Sequence, residues 1–475
     1  MFPSMRADAR RPVRLLLGLP LAAVLVAGTL AATPAPIASA EEGAAAPLAR
    51  TPAAAPATPV VSKKKAKLWK PKSGPMFNTA VGSLPQRYRI HNQIQTSIWR
   101  ARKGSSVKIM SWNVMSASAV NALLAAQKRG VRIRVLMDRL NVTEVPNPEW
   151  RRLVGGLAAG NKGRKPDKRS FAKTCQASCR GERGQAHAKF YLFGHTGGAK
   201  KVVMQGSANL TQAAATNQWN DLYTTIGNKE LYRFTEGVFD QMWKDKPQAD
   251  AYTELQTGRV RFYFSPFTGA AYKGDPYQQL LRQVQCRGAQ DGAGNKNRRT
   301  IIRVAPDVMR NERGMRAAVE FKRLWDAGCD VKIGYTVMGV AVFRFLKQRT
   351  GRGPVPIRHL VQDYDGDKDF DNYFHLKALT INGVVGGDRS AYYTINGSSN
   401  LSGGATVSDE NIMLINKKRV TKKYQQHINW WYDHFPSVVP DTAVSGGGDA
   451  ARMRMDPWLA KRVTSMAPYR HMDLD

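Results

Sequence analysis

The sequence predicts an α/β fold built from two similar halves. The order helix, strand, helix, strand occurs twice between residues 76 and 435, and a glycine closes the second helix of each copy. These glycines, Gly130 and Gly328, are 198 residues apart. The polar motifs described below are duplicated in the same order. Order and spacing together favour an internal duplication over a chance recurrence of a common pattern.

The first copy contains four predicted elements. Isoleucines recur at helical spacing over 90–98, and residues 106–112 are expected to form a strand. A helix is predicted over 116–129, ending before Gly130. Apolar residues then alternate over 131–137, which predicts the second strand.

The second copy repeats this series. An Asp-Pro pair opens a predicted helix over 275–286, and 300–304 is expected to be a strand. A helix is predicted over 311–327, ending before Gly328, and residues 331–333 belong to the next strand. We therefore place the first half at 76–260 and the second at 261–435.

The two ends of the chain differ in composition from the halves. Four arginines, an apolar run over 15–30 and Ala38-Ser39-Ala40 predict a signal peptide over 1–40 and a secreted protein. Residues 41–75 are rich in Ala, Pro and Lys and are expected to be a linker. Residues 436–475 contain three consecutive glycines and are expected to be a loosely attached tail.

Composition limits the class of protein. The 475 residues are 43% hydrophobic and 23% charged, which excludes a wholly disordered chain, a collagen-like fibre and a multi-span membrane protein. Lys and Arg number 72 against 36 Asp and Glu, giving a net charge of +36. Such a surface attracts polyanions, either nucleic acid or an anionic membrane, unless the excess charge only keeps the protein soluble.

Four cysteines allow three disulfide connectivities. Export would permit disulfides, and we expect the local pairs Cys175 with Cys179 and Cys286 with Cys329. A zinc site is the alternative, but the spacing does not match paired CxxC motifs and no nearby histidine completes it.

Each half carries a His-x-Lys motif followed by Gly-Ser-x-Asn. The residues of these motifs are His187, Lys189, Ser207 and Asn209 in the first half, and His375, Lys377, Ser398 and Asn400 in the second. On a strand, His and Lys two residues apart point to one face. Lys and Asn are separated by 20 residues in one copy and 23 in the other, enough for a strand, a turn and a second strand. A lone His-x-Lys would mean little, but two followed by the same second motif indicate a catalytic site.

These side chains suit phosphoryl chemistry. A neutral histidine can attack phosphorus, and a protonated one can give its proton to the departing oxygen. Two lysines can neutralise the non-bridging oxygens, and Ser and Asn can hydrogen-bond them. Two facing halves would supply both histidines to one centre, so we expect neither a metal ion nor a cofactor. A single chain would suffice, and we expect a monomer.

The doubled pattern resembles the phospholipase D superfamily over about residues 76–435. The resemblance implies a phospholipase D-like fold of two pseudo-symmetric halves, each a mixed β-sheet flanked by helices. It also implies one active site between the halves and a covalent phosphohistidine. By position, His187 would be the nucleophile and His375 the general acid.

The chain departs from the family pattern five residues after each lysine. The family has Asp there, whereas this sequence has Gly194 and Asn382. We expect a structural rather than a chemical loss, because a residue five positions after the lysine would not lie on the same strand face as the His-Lys pair. Some members carry a downstream acidic residue that orients the histidine; Glu410 suits this role in one half and Asp221, less well, in the other.

The substrate stays open between two classes. A basic stretch over 162–183 precedes His187, and five aspartates over 363–371 precede His375. The basic stretch could hold nucleic acid or an anionic bilayer, whereas the acidic one would repel a long polyanion and tolerate a cationic head group. Calcium binding by the aspartates is the alternative to a solvated loop. We favour a secreted phospholipase D that releases the head-group alcohol at a membrane surface, with a secreted nuclease cleaving DNA or RNA as the alternative.

Overall fold

The structure is a computed structural model, which describes residues 68–144, 146–363 and 370–436. Residues 1–67, 145, 364–369 and 437–475 lie outside the described part. They include the predicted signal peptide, most of the predicted linker and tail, and three of the five aspartates of the acidic stretch, Asp365, Asp367 and Asp369. Within that part, no helix is long and apolar enough to cross a membrane.

The first sheet and its helices use residues 74–242. The strands are β1 Gly74–Phe77, β2 Ser106–Met110, β3 Val114–Met115, β4 Arg132–Asp138, β5 Phe171–Cys175, β6 Phe190–Thr196, β7 Ala199–Gly206, β8 Leu210–Thr211, β9 Gln218–Trp219 and β10 Asp221–Ile226. The helices are α1 Leu84–Arg87, α2 Arg89–Trp99, α3 Ala117–Lys128, α4 Leu140–Thr143, α5 Pro148–Ala159, α6 Gln212–Thr216 and α7 Lys229–Met242.

The second sheet and its helices use residues 253–434. The strands are β11 Thr253–Thr257, β12 Val260–Phe264, β13 Val284–Gln285, β14 Ile301–Pro306, β15 Val308–Met309, β16 Asp330–Tyr335, β17 Val337–Met338, β18 Ile357–His359, β19 Val361–Gln362, β20 Asn372–Phe374, β21 Lys377–Val385, β22 Asp388–Gly397 and β23 Asn411–Asn416. The helices are α8 Pro276–Arg282, α9 Asn311–Asp326, α10 Val340–Leu346, α11 Gly404–Val407 and α12 Lys418–His434.

The two main sheets have the same strand order and the same strand directions. The first runs β1-β10-β7-β6-β2-β4-β5, and the second contains β12-β23-β22-β21-β14-β16-β18 in the corresponding places. In each sheet the last three strands of these series are parallel and the others antiparallel. The predicted α/β fold with two similar halves, each a mixed sheet flanked by helices, is confirmed.

The glycines that close the second helix of each copy have the predicted role. Gly130 and Gly328 both have φ of 90°, a left-handed conformation that favours glycine. In the first half, the Gly130 N–H donates to the Gln127 carbonyl and the Val131 N–H to the Ala126 carbonyl. The second half repeats both bonds with Gly328 and the residue after it. Each helix therefore ends in a Schellman motif, which turns the chain directly into the parallel strand that follows.

One hydrophobic cluster joins the two sheets. It combines Phe190 and Trp219 from the first half with Phe264, Phe374 and Met413 from the second, all fully buried. Separate clusters fill the outer face of each sheet under its own helices. The two halves thus share one interior and hold their inner faces together.

One predicted helix is shorter than expected. The helix predicted over 275–286 ends at Arg282, because Val284 and Gln285 form β13 and pair with the end of β21. Cys286 then reaches Cys329, and Cys175 reaches Cys179, with Cα atoms 4.6 and 5.1 Å apart. The structure therefore contains both expected disulfides.

Candidate active site

The two His-x-Lys motifs lie at corresponding places in the two sheets. His187 and Lys189 immediately precede β6, whereas His375 lies two residues before β21 and Lys377 is the first residue of that strand. The His187 N–H donates to the carbonyl of Asp409 from the second half, at 3.0 Å. Reciprocally, the His375 N–H donates to the carbonyl of Trp219 from the first half, also at 3.0 Å. Each chain segment that carries a histidine is thus hydrogen-bonded to the other half, and both histidines are fully buried at this junction.

Glu410 holds the first histidine. Its Oε1 lies 2.8 Å from Nδ1 of His187, and its Oε2 accepts a hydrogen bond from the Ser398 hydroxyl. Burial raises the pKa of Glu410, but the charge and hydrogen bond of His187, the Lys189 ammonium and the Ser398 hydroxyl outweigh burial and hold this pKa below its ordinary value. An ionised carboxylate only accepts hydrogen bonds, so Nδ1 of His187 carries the proton.

Asn220 holds the second histidine. Its Oδ1 lies 2.8 Å from Nδ1 of His375, while its Nδ2 donates to the Ala214 carbonyl at 3.0 Å. Because a carbonyl oxygen can only accept, the bond to Ala214 fixes which atom of the amide is the oxygen. Nδ1 of His375 therefore donates as well. The two imidazoles have the same tautomer, but one is held by an anion and the other by a neutral amide.

The serines of the two motifs bind the groups that hold the histidines. The Ser207 hydroxyl donates to Asn220 Oδ1 at 2.8 Å, just as Ser398 donates to Glu410. Ser207 therefore positions Asn220, which holds His375, and Ser398 positions Glu410, which holds His187. The predicted role of Ser207 and Ser398 as phosphate ligands stays a prediction.

The motif asparagines are also buried at the junction. Asn209 is 3% exposed and Asn400 is fully buried. Asn400 Oδ1 accepts a hydrogen bond from the Val308 N–H at 3.2 Å, which fixes the loop that follows β14. Their binding of phosphate likewise stays a prediction.

The two lysines have different surroundings. Lys189 Nζ donates to the His187 carbonyl at 2.8 Å and lies 6.0 Å from the centre of the Trp112 ring. Lys377 Nζ lies 2.7 Å from Nε2 of His375 and 2.9 Å from Oδ2 of Asp307. An ammonium donates to the lone pair of Nε2, so in this arrangement the His375 ring is neutral.

Asp221 does not lie against a histidine as expected. Its Oδ2 accepts hydrogen bonds from Asn396 Nδ2 and the Tyr424 hydroxyl, both at 2.6 Å, and its Oδ1 accepts from the Ser207 N–H at 3.1 Å. Burial raises its pKa, and these bonds offset the rise only in part. Asp221 therefore ties the first half to β22 and α12, and the preceding residue, Asn220, takes the place next to His375.

Sequence reasoning missed two residues of the site, Asn220 and Asp307. Asn220 lies 190 residues before Glu410, close to the 188 residues that separate His187 from His375. Aligning the two copies of the pattern would therefore have identified Asn220 as the equivalent of Glu410. The expected partner was acidic, whereas the equivalent of Glu410 in the other half is an amide. Asp307 lies 3.6 Å from Nε2 of His375 and follows β14 without any motif, and no sequence signal points to it.

The first disulfide loop holds the residue next to Glu410. Asp409 Oδ2 accepts hydrogen bonds from the Ser178 hydroxyl at 2.9 Å and from the Cys179 N–H, and its Oδ1 lies 2.9 Å from Nε of Arg180. Arg180 is fully buried in this ion pair. It is therefore part of the scaffold and does not face the substrate, although it belongs to the basic stretch noted in the sequence.

Another part of that basic stretch lies far from the histidines. Arg164, Lys165 and Lys168 line a surface groove together with the turn between β6 and β7. Since His187 precedes the start of β6, this groove lies at the other end of the strand, roughly 25 Å away at about 3.3 Å per residue. The expectation that the basic stretch as a whole flanks the site is thus not met.

The arrangement has the parts needed for phosphoryl transfer. Two histidines, each held through Nδ1, and two lysine ammonium groups lie where the halves join. In the part of the chain that the structure describes, no group of three or more His, Cys, Asp or Glu side chains is placed to hold a metal ion.

A comparison with protein families matches part of the chain. Residues 94–243 match a family model described as "Cardiolipin synthase, PLD-like domain". No curated protein matches the chain by sequence.

Three solved structures are similar to the chain at low sequence identity. Phosphatidylserine synthase from Haemophilus influenzae has 14% identity and a TM-score of 0.49, with 80% of this chain and 92% of that one covered. The phospholipase D family member Nuc from Salmonella typhimurium has 17% identity and a TM-score of 0.27, with 36% and 95% covered. Polyphosphate kinase from Porphyromonas gingivalis has 11% identity and a TM-score of 0.47, with 75% of this chain and 50% of that one covered, so the aligned region spans half of the kinase.

Proposed function

We propose that the chain is a phospholipase D-type enzyme that hydrolyses a phospholipid to phosphatidic acid and a head-group alcohol; the match of residues 94–243 to a PLD-like domain supports this. The observation that carries the proposal is the reciprocal holding of His187 by Glu410 and of His375 by Asn220 at the junction of the halves. The description of the matched family model as a cardiolipin synthase domain supports a phospholipid substrate.

We assign the nucleophile to His187. Its Nε2 attacks phosphorus, and the bond from phosphorus to the head-group oxygen breaks. The imidazole becomes positively charged when Nε2 bonds phosphorus, and the Glu410 carboxylate neutralises that charge. At Nδ1 of His375 the neutral Asn220 offers no such compensation.

His375 then serves as the general acid and base. In its protonated form it gives the Nε2 proton to the leaving alkoxide, and Asp307 stabilises that charged form. It next takes a proton from the water that attacks the phosphohistidine, which releases phosphatidic acid and restores His187. Lys377 donates to Nε2 of the neutral ring, the form that is ready for this second step.

The experiment offers two substrates to the purified protein. Phosphatidylcholine vesicles and plasmid DNA are incubated with it in separate reactions, each with and without a chelator. We expect choline release that the chelator leaves unchanged, because the lysines supply the positive charge at the phosphate. Acid quenching should trap a phosphorylated peptide containing His187, and His187→Ala and His375→Ala should each abolish turnover. A phosphorylated His375 would reverse the two roles, and loss of activity with chelator would contradict the metal-free mechanism.

A nuclease is the second candidate, and the basic groove favours it. The groove has a volume of about 860 Å³, and Asp167 is the one acidic residue among those lining it. The cations that line it are Lys103, Arg132, Arg164, Lys165, Lys168, Lys200 and Lys201. Such a groove suits the phosphates of a nucleic acid. Plasmid nicking without lipid turnover would establish this candidate and overturn the first.

Secretion is part of the proposal. The signal peptide predicted over 1–40 lies outside the described residues, and the two disulfides are typical of exported proteins. Sequencing the N-terminus of the protein recovered from culture medium should find a start near Glu41. Recovery from cells alone, with Met1 retained, would contradict export.

A further inference from the structure

We propose that helix α10, Val340–Leu346, is a membrane-docking element that inserts Val340 and Phe343 into an anionic phospholipid surface beside the catalytic centre. The inference rests on the proposed phospholipid substrate and adds to it the surface that meets the bilayer.

The helix exposes large apolar side chains that the fold does not cover. Val340 is 65% exposed and Phe343 is 39% exposed, while Val342 and Leu346 on the opposite side are buried. In the described part of the chain, the other exposed large apolar residues occur one to an element or segment. Two on one short helix, beside the exposed Ala341, form a local apolar surface that water does not favour.

The charges around this surface match an anionic bilayer. Arg344 and Lys347 are exposed on the same side of α10 as Val340, since they follow it at intervals of four and seven residues. No acidic residue occurs between 331 and 362, whereas six Lys and Arg do. Apolar side chains flanked by cations are typical of segments that lie in the membrane interface.

The helix is close to the proposed catalytic centre. The Val337 N–H donates to the Asp307 carbonyl at 2.7 Å, and the Asp307 carboxylate lies 2.9 Å from Nζ of Lys377. Val340 follows Val337 by three residues, which places it roughly 10 Å further along the chain. A bilayer that received Val340 would therefore lie close to the catalytic residues.

The corresponding helix of the first half lacks this surface. Helix α4 follows β4 as α10 follows β16 and β17, yet it has the sequence Leu-Asn-Val-Thr, with Asn141 buried and Leu140 and Val142 half-buried. The fold thus does not require exposed apolar residues at this position. Their presence in the second half alone points to a function there.

The test compares matched variants of the full chain on vesicles. The double variant Val340→Asp/Phe343→Asp places two carboxylates on the exposed face, and Val154→Asp makes the same change at a valine that is 38% exposed on α5. Binding to vesicles of phosphatidylcholine with phosphatidylglycerol is measured by sedimentation. We expect the double variant to bind about tenfold or more weakly and to lose vesicle turnover in proportion. Val154→Asp should behave as the wild type, and all three proteins should hydrolyse soluble bis(4-nitrophenyl) phosphate equally.

A charge variant tests the second part of the surface. Arg344→Gln/Lys347→Gln should weaken binding to the anionic vesicles by about fivefold per charge and leave binding to pure phosphatidylcholine unchanged. Equal binding by the wild type and Val340→Asp/Phe343→Asp, or no vesicle binding by the wild type, would overturn the docking proposal.

The outcomes separate this proposal from the proposed function. Head-group release that does not depend on α10 would leave the phospholipid substrate intact and refute docking. Vesicle binding that depends on α10, with no lipid turnover but cleavage of the soluble diester, would support docking and refute the phospholipid substrate.

Discussion

At the scale of single residues, the two histidines differ in the charge of the group that holds Nδ1. Glu410 carries a negative charge and Asn220 none, although the two occupy equivalent places in the halves. An anionic partner stabilises a positively charged imidazole, and a neutral one makes the same ring give up its proton more readily. This difference divides the roles of nucleophile and acid between residues that the duplication would otherwise leave equivalent.

Replacing Glu410 by Gln tests this asymmetry. We expect kcat to fall roughly 100-fold, because the amide keeps a hydrogen-bond acceptor for His187 but removes the charge that compensates the phosphohistidine. Steady-state kinetics on the soluble diester measure the change. Asp221→Asn is the matched control, since it removes a buried carboxylate that does not touch a histidine, and it should leave kcat within a few-fold of the wild type. A larger loss in Asp221→Asn than in Glu410→Gln would contradict the assignment.

A buried histidine outside the reaction should make stability depend on pH. Burial lowers the pKa of His91 to about 4, which the carbonyls of Thr211 and Asn209 offset only in part. The unfolded chain binds this proton below about pH 6.5, whereas the folded chain binds it only near pH 4, so folding loses stability as the pH falls between these values. From pH 7 to pH 5 the loss amounts to about 2 kcal/mol. Urea titrations should find that, between pH 7 and pH 5, the wild type loses about 2 kcal/mol more stability than His91→Gln; equal pH dependence of the two proteins would contradict this.

The motif residues and the holding residues were unequally predictable from sequence. The His, Lys, Ser and Asn of the motifs were found because they recur at matched spacing in the two copies. Asp221 was chosen over Asn220 because the expected role called for an acid, whereas the site uses an amide there. Asp307 was invisible, because its place next to Lys377 depends on how β14 lies beside β21, a long-range contact that leaves no local pattern.

At the scale of elements, the duplicated strand-helix-strand units were predictable and the connections were not. Helical and alternating periodicities with a closing glycine locate α3, β4, α9 and β16 within a few residues. The basic stretch over 162–183 is expected near the site because it precedes His187 in the chain. It runs instead from the far end of β6 to the site, and charge alone does not indicate direction along a strand.

The two disulfides should contribute differently to stability and to activity. Closing a loop with 43 residues of separation restricts the unfolded chain more than closing one with four, by about 4 against about 2 kcal/mol in the loop-entropy estimate. The short loop, however, holds Asp409 next to Glu410. We therefore expect Cys286→Ser/Cys329→Ser to lower the free energy of unfolding more, and Cys175→Ser/Cys179→Ser to lower kcat more.

Each disulfide variant is the control for the other. Both are measured by urea unfolding and by turnover of the soluble diester under conditions where both remain folded. Equal losses of kcat in the two variants would show that the short loop has no special relation to Glu410.

At the scale of the whole molecule, the halves cannot act separately. Each half supplies the group that holds the other half's histidine, and a single buried cluster joins the inner faces of both sheets. Loss of either half would expose this cluster and release one imidazole from its partner. The active site and the interior thus depend on the same contact between halves.

This dependence predicts a single cooperative unfolding transition. Leu123→Ala empties space in the outer core of the first half, whereas Leu192→Ala does so in the cluster between the sheets; each should cost about 2–5 kcal/mol. Because the shared cluster couples the halves, either change should shift the loss of activity, far-UV circular dichroism and tryptophan fluorescence together in urea. Trp325 lies in the second half, far along the chain from Leu123, and its signal should move with the others. An early first transition in Leu123→Ala that leaves the Trp325 environment intact would show that the second half is stable without the first.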